Sequence, residues 1–333
     1  MKKKISHTKT NEDLDTVSDI LTSSSGKFIV TPEKKELTTE LRAFVEFVAK
    51  KGRELYRDLP WRRTYDPYAI WISEVMLQQT QVSRVDGRWQ RWLEHFPTVD
   101  ALAAAAPSDV LKEWQGLGYN RRALSVHRAA QVISDAGGVF PQDQKELVKL
   151  PGIGPATAAG IRAFAFNLHG VYLETNVRTV FLHELYPQAE GVPDSELIPL
   201  VELTCPASVS IAADTATANA VTAELTPRSW YYALLDYGAY LKKTIPNPSR
   251  RSKSHVKQSR FEGSHRQKRA ELLRVLLAHK DEGGADFETL HQELCQIEVH
   301  AGRETLDEQV TLGLLEELAK EGFCQKNDEY WLP

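Results

Sequence analysis

Apolar residues recur at helical spacing along most of the chain and alternate almost nowhere. Leu41, Phe44, Val45 and Val48 make one stripe, the recurrence expected of an amphipathic helix. Ile70 to Val85 predicts a second helix, and Leu111 to Trp114, Ala123 to Ile133 and Gln142 to Leu150 continue the series. Pro107 and Gly137-Gly138 mark turns between them. From Glu36 to about Pro187 nothing alternates for long enough to suggest a sheet, so the fold class is all-α. Ser229 to Lys242 resumes the helical pattern, followed later by Gln267–His279, Phe287–Leu294 and Glu304–Lys320. Two short strand-like runs around Lys326-Asn327-Asp328 then predict a hairpin. Three helices and a ribbon point to a small C-terminal winged-helix-like (α+β) module.

Composition changes the picture in three places. Residues 1–35 are polar with little periodicity, and read as a mostly disordered tail. Residues 205–227 are rich in Ala and Thr and read as an insertion between two helices. Charge is the third. The formal net charge is −4, yet residues 247–269 carry eight Lys/Arg against one acid, and residues 270–333 carry five against fifteen. The +7 stretch is either a solvated linker or a contact for a polyanion. The acidity of the last module argues against insertion into DNA and favours packing or a protein partner. Cys205, Cys295 and Cys324 lie far apart, which fits a reducing cytosol and implies neither disulfides nor a metal site. No run of eighteen apolar residues suggests a membrane span, and the basic start leads into no apolar leader. The expected setting is cytoplasmic. The domain reading is therefore a tail (1–35), a helical domain (36–246), a basic linker (247–269) and an acidic module (270–333).

Candidate chemistry centres on Leu150-Pro151-Gly152-Ile153-Gly154 and two glutamates. A helix ending at Leu150, then a Gly-rich turn and a second helix, makes a helix–hairpin–helix. Glycines let the backbone take positive φ and approach a ligand closely, and the next helix's free N–H groups favour an anion such as a DNA phosphate. A plain helix–helix corner is the alternative. Glu74 sits among Ile72, Val75, Met76 and Leu77. A carboxylate there faces solvent, finds a partner, or is desolvated with a raised pKa suited to a general acid. Glu174 supplies a second carboxylate, and a pair in different environments can divide acid and charge-stabilising roles.

Four blocks in order carry a resemblance: "RDLPWRRTYDPYAIWISEVMLQQTQV" (Arg57–Val82), "WQGLGYNRRAL" (Trp114–Leu124), "LPGIGPATAAG" (Leu150–Gly160) and "ETNVRTV" (Glu174–Val180). From about Glu36 to Leu241 the chain resembles the helix–hairpin–helix (HhH-GPD) DNA glycosylase superfamily, most of all the MutY-type adenine DNA glycosylases. The resemblance implies a two-lobed helical fold and base excision by nucleotide flipping. It implies that Glu74 protonates adenine and organises water, and that Asn176 supports the catalytic carboxylate. Arg57, Leu59, Trp61 and Arg62 match the base-pocket segment. Gln79 and Tyr119 match the wedge that enters the base stack, with Thr80 and Leu117 nearby. Gly152 and Gly154 match the phosphate-binding hairpin, which in such proteins can hold a monovalent cation through backbone carbonyls.

The sequence departs from that pattern four times. Glu174 stands where the family has an aspartate, which moves the charge by about one bond length. Ala156 stands where bifunctional relatives carry a lysine, so no Schiff base and no strand cleavage are expected. The four cysteines of the family's iron–sulfur cluster are absent, and the +7 stretch takes their place. Arg250, Arg251 and Lys253 are therefore expected to contact DNA phosphates. The C-terminal domain that inspects 8-oxoguanine is not recognisable. The expected activity is a monofunctional, cofactor-free DNA glycosylase acting as a monomer on duplex DNA with adenine opposite guanine or 8-oxoguanine. A glycosylase for another base (T:G, U:G, hypoxanthine) and a non-catalytic DNA-structure binder are the alternatives. Tyr172, Phe181, Trp89, Trp92 and Trp114 are expected in the core, and His127, His169 and His183 are expected to be structural.

Overall fold

The computed structural model describes residues 37–208, 225–255 and 260–333; the N-terminal tail and the middle of the Ala/Thr-rich insertion lie outside them. In chain order the helices are α1 (Thr39–Glu54), α2 (Pro67–Leu77), α3 (Val82–Val85), α4 (Arg88–His95), α5 (Val99–Ala104), α6 (Pro107–Trp114), α7 (Arg121–Asp135) and α8 (Gln144–Leu147). There follow α9 (Pro155–Phe166), α10 (Thr175–Glu184), α11 (Asp194–Thr204), α12 (Pro227–Thr244), α13 (His265–Ala278), α14 (Phe287–His300) and α15 (Glu308–Lys320). Three short strands, β1 (Ala285–Asp286), β2 (Gln325–Asn327) and β3 (Tyr330–Leu332), form one antiparallel sheet in the order β1-β3-β2. The described residues divide into two compact units: residues 37–58 with 167–255, and residues 59–166 with 260–333.

In the first unit the stripe Leu41, Phe44 and Val48 is buried as its spacing predicts, and Val45 is half-buried. Thr38 caps α1 by accepting from the Leu41 N–H at 3.3 Å, which satisfies one otherwise orphaned donor. Phe44 meets Phe181 and Trp230 edge to face, at 5.1 and 6.1 Å between centroids. Gly52 and Gly238 let backbones close up, since an added Cβ would overlap Ala233 at the first and the Asn176 carbonyl at the second. Gly238 thus brings α12 directly against the start of α10.

The second unit buries α2 almost completely. Asp66 caps it through the Tyr68 and Ala69 N–H groups, and Pro67 sits in the first turn, where its missing N–H costs nothing. Trp71 packs on Phe140, and Trp92 on Trp114. The predicted helix from Ile70 to Val85 is broken: α2 stops at Leu77, Gln79 takes φ +53°, and α3 resumes at Val82. Hydrogen bonds from Arg122 to the carbonyls of Val75, Met76 and Gln78 offset that break. The predicted Gln142–Leu150 helix shrinks to Gln144–Leu147 behind its Asp143 cap, because Leu147 to Leu150 continues as tight turns.

The last module belongs to this second unit. Its expected ribbon gains a third strand, as Ala285 pairs with Trp331 and Asp286 with Tyr330. Glu321 binds both Arg121 (2.6 Å) and Arg269 (2.8 Å), and Lys280 bonds Asp109. One acid of the module, Glu321, is therefore consumed in docking it onto α7, and one cation, Lys280, in docking it onto α6. Among the described residues no helix is long and apolar enough to cross a membrane.

Candidate functional site

In the second unit, the residues from Tyr68 to Met76 are all buried except Glu74, which is half-buried. One carboxylate on an otherwise buried helix is costly unless it is paired or hydrogen-bonded. Just beyond, the turn after α2 presents Gln79 with φ +53°, and the turn before α7 presents Tyr119 with φ +50°. Left-handed backbone at a non-glycine residue costs on the order of 1 kcal/mol or more and persists only where its surroundings impose it. Both side chains are exposed, Tyr119 by 42%. Thr80 is half-buried, and its hydroxyl donates to the Gln78 carbonyl (3.2 Å) and the Leu117 carbonyl (3.4 Å). Leu117 does not join the exposed pair: its side chain is 2% exposed, and only its carbonyl takes part. An apolar side chain next to Trp114 is held by the core.

The hairpin lies in the same unit. Leu150 and Ile153 are buried and anchor it, with the Ile153 N–H donating to the Leu150 carbonyl at 3.1 Å. Gly152 has φ +76°, and a Cβ there would come within 2.6 Å of the Ser125 side chain, so only glycine fits. Gly154 is different. It needs no positive φ, and nothing stands within 4 Å of where its Cβ would be. It leaves the start of α9 open, with Pro155 and Ala156 also exposed. Gly152 thus serves the turn, while Gly154 serves access to the helix N-terminus. Gln78 ties the hairpin helix to the end of α2 by donating to the Thr157 hydroxyl at 3.0 Å.

Trp61, expected at a base pocket, is 4% exposed and packs edge to face on Trp89. Leu59 precedes the 3-10 turn Pro60–Arg62 with no side-chain capping bond, and Arg62 is buried. In the first unit the Arg57 guanidinium is committed to the buried Asp236 on α12, Nε to Oδ1 at 2.5 Å. Three of these four positions therefore hold structure as well as lying in the matched segment.

Also in the first unit, Glu174 is the N-cap of α10: its Oε1 accepts from the N–H groups of Asn176 (2.6 Å) and Val177 (3.2 Å). Burial pushes its carboxyl above the ordinary range, against the opposite pull of those two N–H groups and of Lys242 and Arg178. The Asn176 side-chain oxygen accepts from Lys242 at 3.1 Å. Asn176 touches Glu174 through its backbone rather than its side chain, and Lys242, which no sequence pattern singles out, completes the cluster.

The basic stretch is corrected. Pro248–Arg251 is a 3-10 turn packed on α10 rather than a linker. The Arg251 guanidinium donates to the carbonyls of Leu182 (2.7 Å), Tyr186, Pro187 (2.7 Å) and Ala189 (3.4 Å). It grips the C-terminal end of α10, where carbonyls lack helical partners, and is not available to a phosphate. Arg250 and Lys253 are exposed. The resemblance places a four-cysteine cluster at this point, and the residues do not fit one. No cysteine occurs there, and among the described residues no group of His, Cys, Asp or Glu is arranged for a metal ion.

A sequence model described as "HhH-GPD superfamily base excision DNA repair protein" matches residues 72–226. The adenine DNA glycosylase of Mycolicibacterium smegmatis is 35% identical over 235 residues, 66% of this chain and 75% of that protein. That of Mycobacterium tuberculosis is 37% identical over 237 residues, 67% of this chain and 75% of that protein. A solved thermostable thymine-DNA glycosylase superposes with a TM-score of 0.50 at 22% identity, covering 62% of this chain and 90% of its own; it shares the fold. The chain belongs to the HhH-GPD superfamily of base excision DNA repair proteins and, within it, to the adenine DNA glycosylase family. It is a DNA N-glycosylase.

Proposed function

We propose that the chain removes adenine mispaired with guanine or 8-oxoguanine from duplex DNA, and that it stops at the abasic site. The observation that carries this reading is Glu74, the one carboxylate on a helix buried on every other side from Tyr68 to Met76. Glu74 as the acid delivers its proton to the adenine ring, so the base leaves neutral as the C1′–N9 bond breaks. The Glu74 carboxylate so formed takes a proton from water as the water oxygen bonds C1′, which restores the acid. Glu174, ionised, stabilises the positive charge that develops on the sugar between these events. Its helix-cap N–H groups, Lys242 and Arg178 pull towards that ionised state against the larger effect of burial. Gln79 and Tyr119 fill the space left by the extruded nucleotide. The open N-terminus of α9 beside Gly154 receives a phosphate, with Arg250 and Lys253 as further contacts.

The proton, the water and the charge stabilisation all come from side chains and solvent, so the proposed reaction draws on no iron–sulfur cluster. Ala156 offers no amine for a Schiff base, and product strands stay intact until heated in alkali. The test is abasic-site formation on duplexes holding A:8-oxoG, A:G, T:G, U:G and hypoxanthine. Release is expected from the two adenine mispairs, and Glu74→Gln is expected to lose at least about 100-fold in rate. Undiminished activity in Glu74→Gln would sink the assigned acid. Release from T:G or U:G alone would replace the substrate.

A further inference from the structure

Arg122 lies in the first turn of α7. Its Nη1 donates to the carbonyls of Val75 (2.6 Å), Met76 (3.2 Å) and Gln78 (2.7 Å), at the end of α2. Its Nη2 donates to the Thr80 hydroxyl (3.2 Å) and to the carbonyls of Leu117 (3.3 Å) and Gly118 (2.9 Å). The guanidinium packs 5.2 Å from the Trp114 ring and 5.6 Å from the Tyr119 ring. One planar fork thus holds the turn that presents Gln79 and the turn that presents Tyr119.

The pairing with strain is specific. Among the described residues four non-glycines have positive φ: Gln79, Tyr119, Asn167 and Asp328. The first two are the tips of the turns that Arg122 bridges. Arg84 and Arg88 also bond carbonyls of the second turn, at Gly116 and Gln115, but those bonds do not reach the Gln79 turn, which Arg122 joins to the second turn together with the Thr80–Leu117 bond. Burial lowers the Arg122 pKa to about 10, which leaves it charged at neutral pH. Its partners are carbonyls and a hydroxyl, so its charge answers the negative end of α2. A lysine could not reproduce the geometry, because an ammonium lacks the planar fork.

We infer that Arg122 is the positioning residue for nucleotide extrusion: it sets the Gln79 and Tyr119 tips at a fixed separation and orientation, so that both enter the base stack together. The inference rests on the wedge reading above and assigns the residue that makes it rigid. Losing the fork frees both tips to relax towards ordinary backbone, and the work of opening a stacked, paired adenine then falls on the substrate. An adenine that is already unpaired needs less of that work.

The test uses the full chain with Arg122→Met and Arg122→Lys under single-turnover conditions. One duplex carries adenine opposite 8-oxoguanine; the other carries adenine opposite a stable abasic-site analogue. A 2-aminopurine beside the target reports unstacking, and thermal melting reports folding. Arg122→Met is expected to lose about 100-fold on the paired duplex and less than about 5-fold on the unpaired one, with the 2-aminopurine signal reduced on the paired duplex. Arg122→Lys is expected to recover roughly 10-fold of that loss. Where the Met variant shows no cooperative melt, the Lys variant is read on the same two duplexes and is expected to show the same selective loss. Equal losses on both duplexes, or none on either, overturn the inference while wild-type activity leaves the wedge reading standing. A wild type that releases no base from either duplex overturns both.

Discussion

Two arginines, one in each unit, do the same thing to different ends. Arg122 feeds the terminal carbonyls of α2, the helix that carries Glu74. Arg251 feeds the terminal carbonyls of α10, the helix that Glu174 caps. In both cases a cation fixes the negative end of a helix and saturates acceptors that the helix leaves open. The difference is what lies beyond the grip. Past α2 comes the exposed Gln79 at positive φ; past α10 comes the loop Pro187–Ala189 with no non-glycine residue at positive φ. The same bonding pattern therefore stores strain in one unit and only staples the fold in the other. Identical chemistry is functional or structural according to what it restrains.

The largest effect expected to sharpen this contrast is at Glu174. Glu174→Gln is expected to lower base release by about 100-fold or more, yet to raise the melting temperature at pH 7.5. The sign follows from the raised pKa: the folded state binds the proton more tightly than the unfolded one, so stability falls as pH rises through the carboxylate range. The neutral amide removes that loss, and its advantage is expected to fade towards pH 4, where the native carboxyl is protonated in both states. Melting curves across pH 4–8 measure it; an unstable variant at pH 7.5 would count against a desolvated carboxylate.

Next comes Arg251→Met. Removing a cation that serves several carbonyls is expected to cost roughly 2–4 kcal/mol, which lowers the melting temperature by about 5–15 °C. The rate of base release per folded molecule is expected to stay within about threefold of wild type at 20 °C, and single-turnover assays normalised to folded protein would show it. A rate loss without a melting shift would break the comparison with Arg122.

The two packed glycines give a smaller and paired test. Gly52→Ala and Gly238→Ala both force a Cβ into backbone or side-chain atoms, at about 1–3 kcal/mol each. Only Gly238 abuts Asn176, beside Glu174, so only Gly238→Ala is expected to slow base release as well. The smallest effect belongs to the docked module. Glu321, held by Arg121 and Arg269, has its pKa lowered to about 2, so its contribution is full above about pH 4.5 and is lost as pH falls towards 2. Glu321→Gln is expected to cost about 1 kcal/mol at pH 7 and to match wild type near pH 2, as measured by urea midpoints.

Helical content, the hairpin and the burial of Phe181, Tyr172, Trp92 and Trp114 are legible in the sequence, whereas α2 begins at Pro67 behind its Asp66 cap, three residues before the predicted start at Ile70. Each legible feature depends on local spacing or on local backbone chemistry. The break after Leu77 was not legible, because an apolar run reads on through Val82 and Val85 while the bonds that offset the turn come from Arg122, far along the chain. The role of Arg251 is illegible for the same reason: in sequence it is one of eight cations in a basic run, and only the fold puts α10's open carbonyls within its reach. The third strand was missed because Ala285–Asp286 is two residues long and acquires its pairing from β3.

The sequence by itself determined the helical class, the HhH hairpin, the two glutamates and the family, since these rest on residue types at short or ordered spacing. The tertiary structure decided which charged residues are free to meet a ligand and which hold the chain. It turned Arg251 into a staple, Gly154 into an opening and Arg122 into the link between two turns. The physical reason is that a hydrogen bond or a desolvated charge depends on neighbours brought together by folding, and spacing along the chain does not record them.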